Sequence, residues 1–82
     1  MTDTDLAFRS VLTGKFQIPT QAITPGATLE QLDLDSLALA ELALTLQEEL
    51  GIRVEEHEAR KETTVAELSA TLLAKRTAAG AP

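Results

Sequence analysis

The stretch from Ser36 to Leu50 constrains the fold more than any other part of this chain. At about 100° per residue, Leu39, Leu42, Ala43, Leu46 and Leu50 fall within one arc of about 100°, wide enough to face a core. Gly51 follows where a left-handed C′ residue ends a helix. A helix with one such stripe needs other apolar elements to cover it, and the rest of the chain supplies them as helices. Thr4 to Thr13 reads as a first helix capped by Asp3 or Thr4, with Phe8 and Leu12 on one face beside Val11 and Gly14 as its stop. Thr64 and Glu67 have capping-box spacing and open a last helix to about Arg76, with Val65, Leu68 and Leu72 inward and Lys75 and Arg76 at its negative end.

Between these lie two connections. Lys15 to Leu34 is a long loop with the Pro25-Gly26 turn signal, Ile18 and Ile23 as apolar anchors, and a second capping-box pair, Thr28 and Gln31, that predicts a short turn at Leu29 to Leu32. Loops of this length in small domains are uncommon and are functional or anchored. After Gly51, Ile52 and Val54 anchor the chain, and Glu55 to about Arg60 reads as a short, weak helix. The expectation is an all-α fold: a small four-helix bundle of three main helices and a short third one, with a long first loop. Residues 1–76 form the domain and 77–82 a flexible tail of small residues.

Composition narrows the function. The 82 residues carry 13 acidic and 7 basic side chains, a net charge of -6. Nucleic acid and anionic membrane are poor partners for such a surface, and proteins with basic patches are favoured ones. There is no cysteine, so neither a disulfide framework nor a thiolate metal site can form, and no metal is expected. No apolar run approaches the roughly 20 residues of a membrane span, and the acidic N-terminus is unlike a secretory signal. A cytoplasmic protein is expected.

The outer side of the second helix is unusual. Leu37 and Leu44 lie opposite the buried stripe, two turns apart, with Glu41 between them and Glu48 one turn on. An apolar pair in an acidic frame suits a basic, partly apolar partner, although single exposed leucines are also ordinary on protein surfaces. At the head of the same helix stands Asp35-Ser36. Two readings are open. Both residue types are common N-caps, and capping alone would explain them. Alternatively, a hydroxyl among free backbone N–H groups at the positive end of a helix dipole is well placed to carry a phosphate ester. The capping box used twice elsewhere is missing here, since Ala38 and Leu39 stand three residues on. His57, the sole histidine, sits in the polar run Glu55-Glu56-His57-Glu58 beyond the end of this helix, so it is not expected to serve Ser36 as a base.

The pattern Leu29-x-x-Leu32-x-Leu34-Asp35-Ser36-Leu37, then Glu41-Leu42, then Leu46-x-Glu48-Glu49-Leu50-Gly51-Ile52, and finally Thr63-Thr64-Val65 with Leu68, resembles the acyl carrier protein family. The match covers most of residues 6 to 76 in order and spacing. The resemblance implies a non-catalytic carrier domain, a monomer, whose serine receives 4'-phosphopantetheine from coenzyme A through a phosphopantetheinyl transferase. That serine is Ser36. The arm's thiol would hold acyl groups as thioesters in polyketide or fatty-acid biosynthesis, antibiotic biosynthesis included. Asp35, Leu37, Glu41, Leu44 and Glu48 would be the surface read by the transferase, by acyl-loading enzymes and by synthases with basic docking patches. The alternatives are an aminoacyl or peptidyl carrier of nonribosomal synthesis, or an unmodified helical adaptor in which Ser36 only caps. Two positions depart from the family pattern. Asp33 replaces a usual glycine, and Asp is among the residues that tolerate left-handed backbone. Glu62 stands where an apolar core residue is usual, which bears on how the short third helix packs.

Overall fold

The computed structural model describes residues 3–80, with side chains as far as Arg76. Three α-helices make the frame: α1, Asp3–Gly14; α2, Ser36–Leu50; and α3, Val65–Gly80. Helix α1 packs against both α2 and α3. The stripe read from the sequence is the buried face of α2, where Leu42 and Leu46 are fully enclosed and Leu39 and Leu50 nearly so. They meet Phe8, Val11 and Leu12 of α1 and Val65, Leu68 and Leu72 of α3 in a single cluster. Each such leucine stabilises the fold by about 2 kcal/mol relative to leaving it in water.

Helix ends follow local chemistry. Gly51 adopts a left-handed conformation (φ +66°), and its N–H donates to the Gln47 carbonyl at 2.9 Å. Helix α1 already begins at Asp3, so Asp3 and Thr4 are helical residues and not its caps; Thr4 is buried against the core. Gly14 is its last residue, but the left-handed turn comes at Gln17 (φ +55°), after which the Ile18 N–H donates back to the Leu12 carbonyl. Helix α3 continues about one turn past Arg76 to Gly80. Ala81 and Pro82, the end of the expected tail, lie outside the described residues.

The long loop is anchored by main-chain bonds that the sequence did not announce. Thr28 and Gln31 form their reciprocal box, as do Thr64 and Glu67. The two boxes stand side by side, with Thr28 and Thr64 in an isolated antiparallel bridge. Four backbone bonds fasten them: Leu29 N–H to Thr63, Glu30 N–H to Lys61, Val65 N–H to Ala27 and Ala66 N–H to Pro25. Ile18, Ile23, Leu29, Leu32 and Leu34 are buried beneath the loop, and one 3-10 turn, Thr20–Ala22, precedes the expected one at Glu30–Leu32.

The short third helix is reduced to a single 3-10 turn, Glu56–Glu58. A reciprocal pair, Glu55 and Glu58, holds it. At its start the Val54 N–H donates to Gln47 Oε1 (2.9 Å), and from α3 Lys75 pairs with Glu58 at 2.8 Å. Burial works to raise the Glu58 carboxyl. The Lys75 ammonium and the Glu55 N–H outweigh it, so the group is held below its ordinary range. Glu62 is exposed, and the core at this point is built from Val54, Ala59 and Val65 instead.

Candidate functional site

The entrance of α2 is set by a left-handed residue. Asp33 takes φ +63°, ψ +29° at the end of the Glu30–Leu32 turn. Leu34 then buries itself in the core, and Asp35 swings extended to start the helix. The side chain at 33 thus does what a glycine would do, at the cost of a conformation few residues adopt readily.

Asp35 is the cap. Its Oδ1 accepts the Ala38 N–H at 2.8 Å, and its carbonyl accepts the Leu39 N–H at 2.8 Å. Ser36 is therefore the first helical residue. Its side chain is exposed, and among the described residues its hydroxyl makes no hydrogen bond. The adaptor reading required Ser36 to cap, and in that respect it is corrected: the neighbouring carboxylate has taken the role. The N–H groups of Ser36 and Leu37, unsatisfied by any helical carbonyl, remain at the same end. A free hydroxyl, two open N–H groups and the positive end of the helix dipole together fit a phosphodiester attached at this residue.

The outward residues of α2 fall on one exposed side. Leu37 is 71% exposed and Leu44 56%, values far from those of the buried leucines between them. Glu41 and Glu48 are exposed, as is Asp35. No cation pairs with these three carboxylates among the described residues, so the acidic frame is available to a partner.

Beside Ser36 opens a groove of about 1000 Å³ between α2 and the segment from Val54 to Glu62. Its apolar floor includes Leu39, Ala43 and Val54, and the exposed Arg60, Lys61 and Glu62 stand on its rim. His57 also lines it, which its place in the chain did not suggest, yet it makes no hydrogen bond with Ser36. The rim was missed by sequence reasoning because it is assembled from residues about 20 positions downstream, with no shared periodicity to reveal it.

Comparisons with known proteins agree with this geometry. Residues 7–72 match the family model described as "Phosphopantetheine attachment site". Among curated proteins, acyl carrier protein 2 of Ralstonia nicotianae is 38% identical over 71 residues, spanning 83% of this chain and 88% of that protein. The covalent group implied is 4'-phosphopantetheine, and the open end of α2 has the chemistry to hold it. The chain belongs to the acyl carrier protein family of phosphopantetheine-binding carrier domains.

Proposed function

We propose that Ser36 is the attachment point, and that the chain carries acyl intermediates between enzymes of polyketide or fatty-acid biosynthesis. One observation carries the assignment: Asp35 caps α2 alone and leaves the Ser36 hydroxyl exposed and unengaged. When bound, the phosphopantetheine supplies a terminal thiol that holds an acyl group as a thioester. Everything else asked of the chain is presentation. Ser36 Oγ offers the oxygen that bonds to phosphorus as the nucleotide part of coenzyme A departs. An unassisted serine hydroxyl is a weak nucleophile, so the base that takes its proton belongs to the transferase. The Ser36 and Leu37 N–H groups would be the donors available to the phosphodiester. A tethered cargo gains effective concentration at each partner's site.

Asp35, Leu37, Glu41, Leu44 and Glu48 are the proposed docking face, suited to basic patches on the transferase and on synthase enzymes. In the same reading the Glu56–Glu58 turn stands as the fourth, vestigial helix of the bundle, the protein is a monomer and a carrier without catalysis of its own, and its place is the cytoplasm. No described helix is long and apolar enough to cross a membrane. The curated relative's name favours an acyl cargo over an aminoacyl or peptidyl one.

Intact mass spectrometry after incubation with coenzyme A, magnesium and a promiscuous transferase tests the attachment. The expected gain is one phosphopantetheinyl group on the wild type and none on Ser36→Ala. Modification of the Ser36→Ala protein, or none of the wild type, would refute it.

A further inference from the structure

Lys15 is held at both ends. Its backbone N–H donates to the Val11 carbonyl at 2.9 Å, just past the end of α1, and Phe16 beside it packs against the core. Its Nζ donates to Thr45 Oγ1 on α2, also at 2.9 Å. The side chain is exposed, so this bond competes with water and adds little to stability. Ordering a lysine still costs rotamer freedom. The cation has been given one place to stand, at the border of α2 that faces the end of α1.

Thr45 follows Glu41 by one helical turn and precedes Glu48 and Glu49 by another, so these carboxylates are its neighbours on the helix surface. Among the described residues Lys15 forms an ion pair with none of them. It is bound to a neutral hydroxyl, leaves the acidic frame unpaired, and sets a charge of opposite sign at its edge. Across the helix, on the groove side, the corresponding border is the uncharged Ser36, Ala40 and Gln47. The face is therefore asymmetric across its width: a cation on one border, carboxylates and two leucines along the middle, no charge on the other. A surface patterned in this way is matched in one orientation and resisted in the reverse one. For a carrier, orientation decides whether an arm at Ser36 points into the partner.

We infer that Lys15 is the orienting charge of the docking face: an enzyme that docks on α2, the transferase included, lays its basic patch over Leu37, Glu41, Leu44 and Glu48 and sets a carboxylate over Lys15. This rests on the docking face and the attachment at Ser36 proposed above. The bond to Thr45 fixes the cation before the partner arrives, so its ordering is not charged to the encounter.

The test uses the full chain, excess coenzyme A and the promiscuous transferase, with initial rates of modification measured at low and high salt. Lys15→Glu makes an acidic chain more acidic, so steering by net charge alone would speed its capture by a basic patch. The inference requires the opposite sign. KM for the carrier should rise about fivefold at low salt, kcat should hold, and the difference should shrink at high salt. Lys15→Arg should keep the wild-type KM. Thr45→Val frees the cation without removing it and should raise KM about twofold. An unchanged or lower KM for Lys15→Glu, or a fall in kcat at constant KM, would overturn the inference and leave the attachment standing. So would a lowered unfolding midpoint in Lys15→Glu and Thr45→Val with no change in KM, which is what a purely structural tie predicts. If Glu41→Lys with Glu48→Lys also reacts at the wild-type rate, the docking face falls and the role of Lys15 with it. Absence of any mass gain on the wild type would overturn the attachment itself.

Discussion

Helices α2 and α3 open in opposite ways. At α3 the Thr64 hydroxyl accepts the Glu67 N–H, the Glu67 carboxylate accepts the Thr64 N–H, and the loop carbonyls of Ala27 and Pro25 take the next donors. Every early N–H there has been given an acceptor from the protein itself. At α2 a single carboxylate serves, and the hydroxyl beside it is left over. The closed end satisfies its own donors, and the open end leaves the Ser36 hydroxyl and two N–H groups to solvent or to an attached group. A local rule of helix capping is thus applied fully at α3 and incompletely at α2, where the attachment point is proposed.

The widest separation between the two ends should be seen in modification. Ser36→Ala should lose all transfer from coenzyme A, whereas Thr64→Ala should be modified to completion; intact mass distinguishes them. Thr64→Ala losing modification while still folded would break the contrast.

Next in size is the proposed docking face, carried by α2 and its cap residue Asp35. Glu41→Lys with Glu48→Lys should slow association with the transferase by on the order of tenfold at low ionic strength, with unchanged circular dichroism. A rate that is unaffected, with flat salt dependence, would remove the acidic frame from recognition.

Stability should reverse the ranking. Thermal unfolding should show Thr64→Ala and Asp35→Ala each costing about 1 kcal/mol, as lost caps do. Ser36→Ala should stay within about 0.5 kcal/mol, because no bond is lost. A Ser36→Ala penalty as large as that of Asp35→Ala would mean that the serine caps after all.

The smallest effect is the share of the pH dependence that Glu67 contributes at the closed end. Its bonds to the Thr64 N–H and hydroxyl hold the Glu67 carboxyl below its ordinary value. A depressed carboxylate stabilises above the unfolded pKa, about 4.3, and that contribution fades as pH falls through the lower folded value. The unfolding midpoints of wild type and Glu67→Gln should therefore converge between about pH 5 and pH 3. A gap that is constant over this range would show the charge of Glu67 to be idle.

Much of this was legible along the chain. The α2 stripe, the Gly51 terminus and both reciprocal boxes are local patterns, and they fold as read. Asp33 in its left-handed turn followed from residue type. Whether Asp35 or Ser36 caps was not readable, because both side chains suit the task and only backbone placement decides between them. The Thr28–Thr64 bridge has no sequence mark at all, since main-chain pairing between distant segments is indifferent to side chains. The short third helix shrank to one turn because Glu55-Glu56-His57-Glu58 has no apolar face to bury, and what fixes it comes from Gln47 and Lys75 on other elements.

That indifference has its own consequence. Because peptide groups fasten the long loop to the start of α3, the outward side chains from Thr20 to Gly26 carry little of the fold's cohesion. They can be exchanged during divergence at little cost to the framework behind them.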